Sequence, residues 1–233
     1  MLTSLPRRLL AEGLGTGLLV AVVVGSGIAA QRLSPGDVGL QLLENSLVTA
    51  LGLAVLVAAL APVSGGHLNP VVTAVLWVDG RGQPGSLTGR GAAAYGVAQT
   101  VGAVAGCVLA NAMYAVPVTD LARTDRDGWR LLLGEVVATA GLVLLVVLLL
   151  RTGRAALAAP AVGAYIGAAY WFTSSTSFAN PAVTVGRMFS DTFAGIAPAS
   201  APGFVLAQVV GGAVGLGLAR ALVPGPLPRE VLA

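Results

Sequence analysis

The chain has 233 residues, of which 56% are hydrophobic and 10% charged, with 32 glycines and a mean hydropathy of +0.86. A water-soluble domain carries roughly 25% charged residues, so this surface could not be covered in water and its solvent is a bilayer. All 13 basic residues are arginine; against 10 acids they leave a net charge of +3 spread along the chain, with no basic stripe for nucleic acid. Cys107 is the only cysteine and His67 the only histidine, which excludes a disulfide framework and a multi-Cys or multi-His metal site. No cofactor motif is present.

Crossing about 30 Å of hydrocarbon takes roughly 20 helical residues. In chain order the runs of that kind are 9–30, 40–61, 91–112, 129–150, 155–172 and 202–222. The first follows Arg7 and Arg8 and ends in Gly27-Ile28-Ala29-Ala30, as a secretory signal would, but Glu12 sits inside it and a later segment is its counterpart. It is read as a span. Between the second and third runs lies Ser64-Gly65-Gly66-His67-Leu68-Asn69-Pro70-Val71-Val72-Thr73; the third carries Ala98-Gln99-Thr100-Val101-Gly102. The link 113–128 holds Asp120, Asp125 and Asp127. The fourth run opens on Glu135, and between the fifth and sixth lies Ser177-Phe178-Ala179-Asn180-Pro181-Ala182-Val183-Thr184. The sixth carries Ala207-Gln208-Val209-Val210-Gly211, and the proline-rich tail 223–233 frays. An even number of spans puts both termini on one side. Arg7, Arg8, Arg81, Arg90, Arg151, Arg154, Arg220 and Arg229 fall on that side, and Arg32, Arg123, Arg126 and Arg130 on the other, which predicts cytoplasmic termini.

The two Asn-Pro-x-Val-Thr segments are 111 residues apart, the two Ala-Gln segments 109, and each half opens on an acid, Glu12 or Glu135. The chain therefore reads as one domain built by duplication, with repeat one about 9–112 and repeat two about 129–222. Three spans per unit force the halves into opposite orientations, an inverted repeat. Asn is a helix cap and Pro suits the first helical position, so each motif opens a helix. The apolar stretch after each is about ten residues, roughly 15 Å, or half a bilayer. Two half-helices then enter from opposite sides and meet near the midplane, and the polar loops leading to them line a wet path. Each N-terminus contributes about half a positive charge there, which disfavours cations and protons but not neutral solutes. The amides of Asn69 and Asn180 can donate to a passing oxygen.

These residues resemble the aquaporin and aquaglyceroporin family of major intrinsic proteins, as a bacterial member with an atypical outer filter. The resemblance runs over nearly the whole chain and implies an all-α membrane fold of six spans and two re-entrant half-helices, usually a homotetramer with a pore in each subunit. It implies a passive channel of the plasma membrane for water or small uncharged solutes such as polyols, urea or neutral metalloid hydroxides, and no enzyme. In such proteins the residues matching Glu12 and Glu135 hold the re-entrant loops, and His67 belongs to the inner loop. The family's filter positions fall on Thr49, Ala168, Ser177 and Val183, where the aromatic, His and Arg of water-selective members are all missing. A wider constriction is expected.

Arg187 lies four residues beyond Val183 on the same helical face and can reach back over the filter, or else snorkel to the interface or pair with Asp191. Glycines spaced by four, at 13 and 17, 102 and 106, 163 and 167, and 211 and 215, are expected at close helix crossings. Trp77, Trp129 and Trp171 read as interfacial anchors. The competing class is a secondary transporter, which also uses inverted repeats; the acids it would need for ion coupling are the two already assigned to the loops.

Overall fold

The computed structural model describes residues 4–225 apart from 84 and 119, so the end of the expected tail, 226–233, lies outside the described residues. The helices are α1 (Leu5–Leu33), α2 (Val38–Ser64), α3 (Pro70–Asp79), α4 (Gly89–Met113), α5 (Trp129–Arg151), α6 (Ala158–Phe172), α7 (Pro181–Gly186) and α8 (Ala201–Leu222). Six are long and apolar enough to cross a membrane, α6 together with the 3-10 turn Ala155–Leu157 that leads into it; α3 and α7 are not. The fold is an all-α bundle with two half-helices in an inverted repeat.

The spans start and stop where local chemistry dictates. Pro6 sits in the first turn of α1, and the Asp37 carboxylate accepts from Leu40 N at 2.9 Å to open α2. α2 runs through Pro62 and stops because Gly65 turns left-handed, φ +96°, followed by Gly66 at +59°. Only glycine takes that pair of angles without strain, and it aims the chain back into the bundle. The second half-helix is shorter than expected: α7 has six residues and tightens into a 3-10 turn over Arg187–Phe189.

The closest crossings are at small residues. Cβ atoms added to Gly102 and Gly106 of α4 would collide with the Gly13 and Gly17 carbonyls of α1. Gly211 and Gly215 of α8 press likewise on the α5 backbone at Val136 and Ala140, and Gly163 of α6 on Ala50 of α2. Helices in lipid gain little from burying apolar surface, so such backbone approach supplies the van der Waals contact that holds them. The outward faces carry Leu10, Leu14, Leu47, Leu51, Val55, Val97, Val101 and Leu206, all exposed, as a lipid-facing surface requires. Trp129 and Trp171 are exposed at the ends of α5 and α6, on the face opposite the termini.

Candidate conduction pathway

Each half-helix opens as its sequence dictates. The Asn69 side-chain oxygen accepts from Val71 N at 3.0 Å, and that of Asn180 from Ala182 N at 3.0 Å and Val183 N at 3.3 Å, with Pro70 and Pro181 in the first turn. The amide nitrogens reach across the pseudo-twofold: Asn69 Nδ2 donates to Ala179 O and Asn180 Nδ2 to Leu68 O, both at 2.7 Å. Leu68 and Ala179 sit at φ +49° and +48°, a conformation an L side chain adopts only under constraint.

The two buried acids supply that constraint. Glu12 accepts from His67 N at 3.0 Å and Leu68 N at 2.8 Å, and Glu135 from Phe178 N at 2.9 Å and Ala179 N at 2.8 Å. Behind them stand Gln99 and Gln208. Gln99 Nε2 donates to Glu12 at 2.7 Å and to Thr73 Oγ1 at 3.0 Å; Gln208 Nε2 donates to Glu135 at 2.6 Å and to Thr184 Oγ1 at 2.9 Å. A carboxylate fully supplied with donors is the form in which a charge survives inside a membrane. These glutamines and threonines carried a legible signal, since they recur in both repeats, yet residue type alone assigns them no partner.

One cavity is lined by residues of both repeats and both re-entrant loops. Among the expected residues, Thr49, His67, Asn69, Ser177, Asn180, Val183 and Arg187 line it, whereas Pro70, Val71, Pro181 and Ala182 stand behind the wall. Val71 packs instead in a cluster with Val75, Val143 and Leu216. His67 uses its backbone N–H on Glu12, and its Nδ1 lies 3.1 Å from Thr73 Oγ1. The remaining wall is apolar, with Leu53, Val72, Val162 and Ile166 prominent.

Ala168 is a correction. It is exposed on α6 and is not among the residues that line this cavity. The inward stripe of α6 is Val162, Ile166 and Tyr170, spaced by four, and the Tyr170 hydroxyl lies 3.3 Å from Thr49 Oγ1. Counting back from Asn180 places Ala168 in the filter only if the connecting loop has the family's length; the helical stripe would have pointed to Tyr170 directly.

Arg187 resolves to one of its alternatives. It is 2% exposed, lines the cavity, donates from Nε to Ala194 O, and stacks over Phe178 with its guanidinium carbon 3.5 Å from the ring centroid. Asp191 pairs with Arg123 at 3.7 Å instead. The link after α4 meets the outer arm of the second re-entrant segment at Ala122 and Thr124: Ala122 N donates to Met188 O and Ala197 N to Thr124 O, both at 2.8 Å.

The model of the family described as major intrinsic protein matches residues 2–177. The chain belongs to the major intrinsic protein family. Its sequence is 48% identical over 225 residues to the aquaglyceroporin AqpS of Rhizobium meliloti (strain 1021), covering 97% of this chain and 94% of that protein. It is also 35% identical over 111 residues to a glycerol uptake facilitator protein of Haemophilus influenzae, a match covering 48% of this chain and 39% of that one. The fold resembles the X-ray structure of an aquaglyceroporin from Plasmodium falciparum, with a TM-score of 0.69 at 18% identity over 92% of this chain and 95% of that one. As a major intrinsic protein, the chain is a multi-pass membrane protein and a passive channel for small uncharged solutes, not an enzyme.

Proposed function

We propose that the channel conducts glycerol-sized uncharged solutes as well as water, in the plasma membrane with both termini cytoplasmic, as a homotetramer in which each chain is one complete pore domain. The observation that carries the solute reading is the cavity wall. Its lining combines the amides of Asn69 and Asn180, the hydroxyls of Thr49, Tyr170 and Ser177, and Arg187 with the apolar Leu53, Val72, Val162 and Ile166. A polyol has hydroxyl groups on a hydrocarbon backbone, and such a lining offers partners to both. Water gains nothing from the apolar residues.

In this reading Thr49, Tyr170, Ser177, Val183 and Arg187 form the outer filter, Asn69 and Asn180 the midplane site, and Glu12, Glu135 and His67 hold the loops. The half-helix N-termini and Arg187 set a positive potential that excludes cations. Relatives named for glycerol and for aquaglyceroporin activity support the solute class. The test is stopped-flow light scattering on vesicles reconstituted with the protein, using water, glycerol, urea and a larger polyol, with and without an ion gradient. Flux linear in concentration and indifferent to the gradient is expected, with glycerol above the protein-free rate; water flux alone overturns the polyol reading, and gradient-dependent uptake overturns passive conduction.

A further inference from the structure

At the face opposite the termini, two guanidinium groups share one aromatic ring. The Arg187 carbon lies 3.5 Å from the Phe178 centroid and the Arg126 carbon 5.0 Å from the same point, so the cations are no farther apart than those lengths laid end to end. Such a pair repels, and a fold ordinarily offsets the repulsion with a carboxylate. Among the described residues no carboxylate pairs with either of them: Asp191 serves Arg123, and Asp127 Oδ1 accepts from Ser200 Oγ. Glu135, whose field reaches both, already accepts from Phe178 N, Ala179 N and Gln208 Nε2.

Three consecutive carbonyls hold the pair. Arg187 Nε donates to Ala194 O, and Arg126 donates to Gly195 O from Nε at 2.9 Å and to Phe193 O from Nη2 at 3.3 Å. Each guanidinium has five N–H donors, so both terminal nitrogens of Arg187 and one of Arg126 are left without a hydrogen bond among the described residues. A second, independent feature belongs to the lining of the cavity that Arg187 also lines. Ser177 is 2% exposed, lines the cavity beside Arg187, and its Oγ has no hydrogen-bond partner. A buried cation and a buried orphan hydroxyl on one wall are unmet demands for an acceptor with several oxygens.

We propose that Arg126, Arg187 and Ser177 form a binding site for a small monovalent oxyanion at this mouth of the pore, and that the bound anion obstructs neutral solutes. The guanidinium edges offer the paired donors that a carboxylate, nitrate or sulfonate accepts, and the Ser177 hydroxyl offers a third. The anion stops there. Beyond Val183 the lining offers the neutral amides of Asn69 and Asn180 and the partial charge of the half-helix N-termini among the apolar Ile166, Val72 and Leu53, and moving on strips the anion of two full cations for that lesser compensation, a cost a neutral solute does not bear. The site goes beyond the solute reading and depends on it only for the flux measurement.

The probe is methanesulfonate, whose conjugate acid is strong, so no neutral form crosses the lipid. Vesicles holding the protein are equilibrated with sodium methanesulfonate or sodium chloride on both sides, and glycerol flux is recorded. Methanesulfonate is expected to remove at least half of the channel-dependent flux at concentrations where chloride removes little. Arg126→Gln is expected to raise the half-blocking concentration about tenfold, and Arg126→Lys to raise it less. Equal effects of the two salts, or the same block in wild type and Arg126→Gln, overturn the site. Calorimetric titration of the detergent-solubilised wild-type protein with each salt decides the matter without a variant or a flux: saturable heat with methanesulfonate alone supports the site, and its absence sinks it. Absent glycerol flux with saturable methanesulfonate heat would refute the polyol reading and leave the anion site standing.

Discussion

Asn69 and Asn180 hold one another's loops, each donating at 2.7 Å to the carbonyl of the strained residue that precedes the other. Each side chain therefore does two things: its oxygen caps a half-helix and its nitrogen ties that half-helix to its counterpart. One amide hydrogen per Asn is committed to the tie, and the other remains for a solute, since both residues line the cavity.

Asn180→Asp separates these roles. The carboxylate still accepts from Ala182 N and Val183 N, so the cap survives, and charge at a helix N-terminus is favourable by about 0.3–1 kcal/mol. The donor to Leu68 O is lost, and a negative charge stands where two half-dipoles met. The expected outcome is a folded channel that leaks monovalent cations, measured as current in planar bilayers. A folded variant that stays silent to cations would show that the dipoles are not the barrier.

The filter gives a second prediction through Tyr170 and Ala168. Tyr170→Ala removes a ring from the cavity lining and frees Thr49 Oγ1 from its 3.3 Å neighbour, so larger polyols are expected to gain at least several-fold over glycerol. Ala168→Leu adds bulk on the lipid side of the same helix and is expected to leave every permeability within about twofold. If Ala168→Leu narrows the pore while Tyr170→Ala does nothing, the register assigned to α6 is wrong.

Val183→Arg tests the wide-filter reading from the other direction. Val183 is buried on the cavity wall one turn before Arg187, and a second guanidinium there occupies the space a polyol needs while leaving room for water. Glycerol flux is expected to fall by at least tenfold and water flux by much less, both read in the same vesicles. Equal losses count against a filter at this height.

How far the fold was readable follows from which forces write themselves into a single segment. Span length, the Asn-Pro starts and the glycines at crossings are local or periodic, so the six spans and two half-helices could be placed to within a few residues. The repeat made Glu12 and Glu135 visible as a pair, and the family resemblance implied that they hold the re-entrant loops; the Gln99 and Gln208 side chains that also donate to them were not assigned. What stayed hidden depends on loop path. The position of Ala168 was counted through a connection whose course the residues do not declare, and the seat of Arg126 on Phe178 joins a link to a re-entrant arm far along the chain. Arg187 was ambiguous for a related reason: whether Asp191 reaches it depends on Arg123, which claims that carboxylate from another loop.

The end of the first half-helix carries the last prediction. Asp79, buried at the end of α3, accepts from Arg151 Nη2 at 2.7 Å and from Arg220 Nε at 2.9 Å, and Arg151 also donates to Val223 O. The matching positions in the other half are Ser190, Ile28 and Asn111, and there the tie is neutral, with Ser190 Oγ donating to Asn111 Oδ1 at 2.7 Å. Asp79→Ala leaves the Arg151 guanidinium buried without its partner and is expected to cost about 3–5 kcal/mol. Asp191→Ala breaks an exposed pair with Arg123 and is expected to cost about 1 kcal/mol or less. Importing the other half's residues, as Asp79→Ser with Arg151→Ile and Arg220→Asn, removes every charge at once and is expected to recover most of the loss, because the penalty lies in the stranded cation and not in the missing attraction. The midpoint of thermal unfolding in detergent checks the series. If the triple variant melts no higher than Asp79→Ala, the ion cluster does more than neutralise Arg151 and must itself hold α3 against α5 and α8.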